Sequence, residues 1–247
     1  MNPQSITSVI LTRNEAQNLP RVLDSLPEAS PVLIVDAYST DQTLAVARER
    51  GAHAVQREWR GFIDARLFAL SKVTTPWTLM IDADEALDAE LRFAIVNAPD
   101  DVDGYRVART SFFCRRPMRI WSAERILRLF RTDRASLRSQ SVHDTAQVHE
   151  IWTVPGAVRD LDGTLLHDSY PTVAAYHEKY AQYTALEALA VRPKKRQLGS
   201  AYVATFVRFV WLLFGRGSIA DGWRGVFIAW WSARYPLTVL EKAYRAN

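Results

Sequence analysis

Strands alternating with helices through the first hundred residues of this 247-residue chain predict a doubly wound α/β fold. Three observations carry that expectation. Apolar runs such as VLIVD (32–36) suit strands buried on both faces of a parallel sheet. Between the runs, apolar residues return at helical spacing, as in Leu19, Val22, Leu23 and Leu26. Thr12, Asp36, Asp82 and Asp84 then stand at the carboxyl ends of the runs, where open α/β sheets gather ligands.

Taken in order, SVILT (8–12) reads as the first strand, and Asn18 is placed to cap the helix after it, with Pro20 in the first turn. VLIVD is the second strand. Ser39 with Gln42 fits a capping box for a second helix, and Gly51 a helix stop. AHAVQ (52–56) reads as a short third strand and residues 63–72 as a third helix. WTLMIDAD (77–84) is the next strand, followed by a helix over 88–97. Beyond it, GYRVART (104–110) and RILRLFR (125–131) are strand-like pieces that extend the sheet. After Pro171 the pattern is helical, broken at RPKKR (192–196) and GRGSIADGW (215–223). The expected organisation is an α/β domain over 1–170, with halves 1–100 and 101–170, and a helical extension over 171–247.

The residues are 48% hydrophobic, enough for a substantial core. A net charge of +4 fits an anionic substrate or membrane surface and is too weak to indicate nucleic acid. A single cysteine, Cys114, excludes an internal disulfide framework and reads as a reduced, partly buried thiol of a cytoplasmic protein. The N-terminus lacks the cationic start and long apolar stretch of an export signal. AYVATFVRFVWLLF (201–214) falls short of the roughly 20 residues of a spanning helix, and Arg208 interrupts it. With Trp211, Trp223, Trp230 and Trp231 among basic residues, these helices read either as a membrane-interface attachment or as an apolar lid.

TLMIDADEAL (78–87) sets three carboxylates within four residues directly after an apolar run. On a continuing strand Asp82 and Asp84 share one face, and two carboxylates aimed at one spot repel unless a cation or donor lies between them. Paired acids suit a hard cation, Mg2+ or Mn2+, that completes its shell with substrate phosphates.

The ordered set SVILTRNE, VLIVDAYSTDQT, PWTLMIDADE, RLFR, VHE and LLHDSY resembles the inverting family 2 glycosyltransferases of the GT-A fold. Within them it is most similar to bacterial enzymes that build lipopolysaccharide core or other surface glycans. The resemblance implies that Thr12, Arg13, Asn14 and Glu15 line a nucleotide pocket and that Asp36 hydrogen-bonds the base. It implies that Asp82 faces the ribose or sugar, that Asp84 binds the metal, and that Glu150 is the general base, with Asp144 as the alternative. His149 and His167 each offer a ring nitrogen to a metal or a phosphate, and His167 is taken as the second metal ligand. Of Arg125 and Arg128 one is expected to face the diphosphate; Arg128 is assigned that place. The chain departs from the family where a Gln and a Lys-Asn pair are usual. There it has GFIDARLFAL, with Arg66 as the replacement cation and Asp64 as an odd neighbour for a diphosphate. The implied partners are a nucleotide-sugar donor and a glycan or glycolipid acceptor, with peripheral contact at the inner face of the cytoplasmic membrane. Haloacid-dehalogenase-like phosphoryl transfer is the competing enzymatic reading, although Ala86 stands where that pattern has Thr or Val. A non-catalytic glycan-binding module is the third.

Overall fold

A computed structural model describes residues 1–121, 124–139, 150–192 and 197–246. The chain divides into two compact units, one containing residues 1–110, 124–139 and 150–167, the other 111–121, 168–192 and 197–246.

The first unit is built on a mixed sheet. Strands β1 (Ile6–Thr12), β2 (Val32–Asp36), β3 (His53–Gln56) and β4 (Trp77–Asp82) run parallel in the order β3-β2-β1-β4. The sheet continues through β8 (Glu124–Arg131), β6 (Gly104–Phe113), β11 (Val158–Tyr170) and β5 (Glu85–Leu87), with β4–β8, β8–β6 and β5–β11 antiparallel. Alternate side chains of the parallel strands enter two different cores. Ile6, Ile10, Ile34, Leu79 and Ile81 pack in one, and Val9, Leu33, Val35 and Met80 in the other. This two-sided burial is why the strands are continuous apolar runs rather than alternating ones. Helices α1 (Leu19–Ser25), α2 (Thr43–Glu49) and α4 (Ala89–Asn97) feed Leu19, Val22, Ala47, Leu91 and Ile95 to the first core. Helix α3 (Phe62–Lys72) feeds Ala69 to the second, so the sheet is doubly wound as its sequence pattern predicts.

Local chemistry differs from the sequence reading at three places. Helix α2 starts at Thr43 rather than after Ser39, because the Ser39 hydroxyl is bound to the Asp36 carboxylate instead of capping a helix. Asn18 makes no cap to α1; its amide donates to Glu15 Oε2 at 2.8 Å. Strand β4 ends at Asp82, and Ala83 and Asp84 form a turn into β5, so the shared-face geometry expected of Asp82 and Asp84 on one strand does not apply. Asp88 does cap α4, accepting from the Leu91 amide at 2.7 Å. Gly163, at φ 86°, lets β11 pass the start of that helix: a Cβ there would lie 2.1 Å from Leu91 N. A separate hairpin pairs β9 (Ser136–Ser139) with β10 (Glu150–Thr153).

In the second unit, strand β7 (Arg116–Pro117) folds back on the last residues of β6 through a tight turn at Cys114 and Arg115, both with positive φ. Helices α5 (Val173–Ala188), α6 (Gln197–Val210) and α7 (Trp223–Ala246) follow. Phe113 and Phe227 stack at 5.2 Å, and Tyr176, Tyr180 and Trp231 join them in an aromatic core. A π-helical turn, Trp211–Gly215, continues α6 without a break. The apolar helix is therefore longer than the sequence reading had it: Leu198–Gly215 is long and apolar enough by length and composition to cross a membrane.

Candidate active site at the carboxyl ends of the parallel strands

Register builds the site. Thr12 pairs with Asp36, Asp36 with Gln56, and Leu11 with Asp82, which brings the polar ends of β1, β2, β3 and β4 level. Asp36 is fully buried, and its carboxylate accepts from Thr12 Oγ1 (3.1 Å), the Ser39 amide (2.9 Å), the Ser39 hydroxyl and Gln56 Nε2 (3.3 Å). These donors supply what a carboxylate needs to stay out of water.

The loop after β1 is stitched to the loop after β2. Asn14, at φ 58°, donates its amide to Ser39 Oγ and accepts from Thr40 N through its side chain, each at 2.8 Å. Asp41 accepts from Ala16 N at 3.1 Å and from Thr43, and the Thr43 hydroxyl bond holds its carboxyl below the usual carboxylate range. Glu15 donates its amide to Thr43 Oγ1 at 2.8 Å, while Arg13 is exposed in the same loop.

A second set of groups surrounds the end of β4. Asp82 receives Arg66 Nη2 on one oxygen at 2.7 Å and Arg128 Nη2 on the other at 2.9 Å. Burial pushes the Asp82 carboxyl up, but the charges of Arg66 and Arg128 outweigh it and hold the acid ionised, well below its ordinary range. Glu85 is fully buried; its Oε1 accepts from Arg128 Nη2 at 2.7 Å and lies 3.6 Å from Arg109 Nη1, and its Oε2 accepts from the Asp82 amide at 3.1 Å. Burial lowers the tendency of Arg128 to hold its proton, and the Glu85 and Asp82 charges more than restore it. Desolvating such ions costs several kcal/mol each, and the opposite charges packed around them offset that cost.

Asp84 follows in the turn after β4. Its Oδ2 is 3.4 Å from His167 Nε2, and both side chains are 20% exposed. His167 is set there by backbone pairing, since β11 meets β5 with His167 opposite Glu85. Two cis ligands of an octahedral ion with bonds near 2.1 Å lie about 3 Å apart, so this spacing fits a shared divalent cation. Among the described residues no three His, Cys, Asp or Glu side chains converge, so such an ion would draw its other ligands from substrate and water.

The structure thus brings together Thr12 with Asp36, Arg66 with Asp82 and Arg128, and Asp84 with His167. Arg125 turns to Asp160 and the Leu161 carbonyl, and Asp64 forms a two-bond pair with Arg57 that neutralises the odd acid. Glu150 opens β10, opposite Ser139. Asp144 and His149 lie outside the described residues. The sequence reading missed Glu85 and Arg109 as partners of this cluster. Their signals were an acid followed by Ala86 and Leu87, and an arginine inside the strand-like GYRVART.

Known proteins resemble this chain in sequence. A Rhizobium meliloti protein described as the lipopolysaccharide core biosynthesis glycosyltransferase LpsC is 30% identical over 257 aligned residues, covering 98% of this chain and 93% of that protein. An uncharacterized glycosyltransferase of Rickettsia felis is 25% identical over 222 residues, covering 85% of this chain and 78% of that one. Among solved structures, a mannosyltransferase of Pyrobaculum calidifontis in complex with GDP-Man and Mn2+ aligns with a TM-score of 0.48 at 17% identity, covering 99% of this chain and 75% of that one. The profile of Glycosyl transferase family 2 matches residues 7–148, more than half of the chain. This protein belongs to glycosyl transferase family 2, on a GT-A-type α/β sheet.

Proposed function

We propose that the protein transfers a sugar from a nucleotide-sugar donor to an acceptor hydroxyl, with inversion, on lipopolysaccharide core or another lipid-linked glycan. Family membership supports the transfer, and the LpsC relative, aligned over 98% of this chain, supports the acceptor class. The observation that carries the reading is the Asp84–His167 pair beside an Asp82 held by two arginines.

In this reading residues 1–100 hold the donor, 101–170 the acceptor, and 171–247 attach the enzyme peripherally to the cytoplasmic face of the membrane. Thr12, Arg13, Asn14 and Glu15 border the nucleotide, and Asp36 meets its base. Arg66 and Arg128 hold Asp82 ionised and bring positive charge to the strand end that receives the diphosphate. Asp84 and His167 hold Mg2+ or Mn2+, which when bound neutralises charge on the departing diphosphate. Glu150 takes the proton of the acceptor hydroxyl as its oxygen bonds to the anomeric carbon. The bond from that carbon to the diphosphate breaks, and its electron pair leaves with the nucleoside diphosphate. One displacement inverts the centre and needs no covalent enzyme intermediate. Phosphoryl transfer is not favoured, because the chain belongs to a glycosyltransferase family.

Thermal-shift screening of nucleotide sugars with and without Mn2+ tests this. A ligand bound only by the native state raises apparent stability by mass action, about 2.7 kcal/mol at a hundredfold excess over Kd. One donor that stabilises only with the metal supports the reading. No stabilisation by any nucleotide sugar at millimolar concentration contradicts it.

A further inference from the structure

The second unit carries a surface that its own fold leaves uncovered. On α6 and the π-helical turn, Val203, Phe206, Val207, Trp211 and Phe214 recur along one helical face and are 55–66% exposed. Just beyond the turn, Ile219 is 50% and Trp223 55% exposed. Exposed apolar residues elsewhere, such as Phe93 and Leu67, stand singly, whereas a contiguous apolar face of this kind marks a binding surface.

Charge identifies the occupant. Between residues 197 and 230 the cations are Arg208, Arg216 and Arg224, and the sole acid is Asp221. Asp221 is turned inward, with a side chain only 9% exposed that accepts from the Arg119 amide at 2.8 Å. Exposed carboxylates are thus missing from the stretch, while Arg208 and Arg216 are exposed. A second copy docked through this face would set arginine against arginine, a like-charge juxtaposition that disfavours association. An anionic bilayer matches both features, apolar rings for the boundary and guanidinium groups for the head groups.

The neighbours of α6 decide between lying on the bilayer and crossing it. Its length alone permits crossing. But α6 rests along α7, with Phe209 against Trp230 at 5.4 Å and the Tyr202 hydroxyl donating to Glu241 at 2.9 Å. A crossing α6 would draw Arg234 and Glu241 of α7 into hydrocarbon, where charged side chains are costly.

We propose that the outer face of α6 and its turn lies in the plane of an anionic bilayer, apolar side chains inserted and Arg208 and Arg216 at head-group phosphates. This deepens the lipid-linked acceptor reading, but its test uses vesicles free of donor and acceptor, so either idea can fail alone. The full chain is sedimented with phosphatidylcholine vesicles, with and without phosphatidylglycerol, across a salt series. Wild type is expected to bind the anionic vesicles and to weaken as salt rises. Phe206→Asp with Phe214→Asp should weaken binding by at least about tenfold, and Arg208→Gln by about fivefold, each with an unchanged circular dichroism spectrum. Four results overturn the proposal: no binding by folded wild type, binding indifferent to the aspartates, self-association that the aspartates abolish, or bound protein that resists alkaline carbonate extraction as a spanning helix would.

Discussion

The two units break the ordinary partition of polar and apolar groups in opposite directions. At the end of β4 charge goes inside: Glu85 is fully buried and Arg66 and Arg128 nearly so, yet each meets an opposite charge within 3 Å. On α6 grease stays outside, with Phe206 and Phe214 each 65% exposed. The difference teaches where to look for each partner. Buried charge has to be satisfied within the chain, so the β4 cluster is a scaffold that fixes the position and ionisation of the acids around it. An apolar face that the chain does not cover stabilises nothing in the folded protein and points to something outside it.

That contrast can be broken by substitution. The largest expected effect on stability is at Glu85: Glu85→Ala removes one of the two carboxylates on Arg128 and the acceptor of the Asp82 amide, and should cost about 3–5 kcal/mol in urea unfolding. A loss below about 1 kcal/mol would mean the cluster is looser than its distances imply. Glu150→Gln should lower turnover by about 100-fold while leaving donor affinity and unfolding unchanged, as loss of a general base requires. Near-normal turnover would move the role to another acid.

Acid titration gives a smaller and more specific effect. The folded Asp82 carboxyl loses its proton more readily than its unfolded form, so its stabilising contribution is complete above the ordinary carboxylate value of about 4. It is lost as pH falls toward the depressed folded value. Asp82→Asn should therefore lower stability at neutral pH and flatten its decline below about pH 4; an unchanged acid limb would mean Asp82 is not held ionised. The smallest effect belongs to the other unit. Phe206→Asp should change unfolding free energy by no more than about 0.5 kcal/mol, because the ring makes little of the core. A large loss would make that face structural.

The parallel core was legible because burial on both faces writes itself as unbroken runs, as in VLIVD, and because polar residues at run ends mark where such sheets bind. The Asp84 and His167 pairing was reachable only through resemblance, since they are far apart in sequence and meet through the register of β5 with β11. Glu85 was not legible as a buried ion: a carboxylate in a run of acids looks solvated until its partners on β6 and β8 are in place. Ser39 was misread because the same hydroxyl serves a capping box or a neighbouring carboxylate, and tertiary context chose Asp36. The extent of α6 escaped because a π-helical turn carries the helix past the point where periodicity falters.

Calorimetric titration of the stabilising nucleotide sugar, with Mn2+, into wild type, Asp84→Asn and His167→Ala most directly tests the claim that the end of β4 is a metal-assisted donor site. The expected result is metal-dependent binding by wild type, at least about tenfold weaker binding by either variant, and unchanged unfolding of both. Equal metal-dependent binding by all three proteins would contradict it and place the donor diphosphate elsewhere.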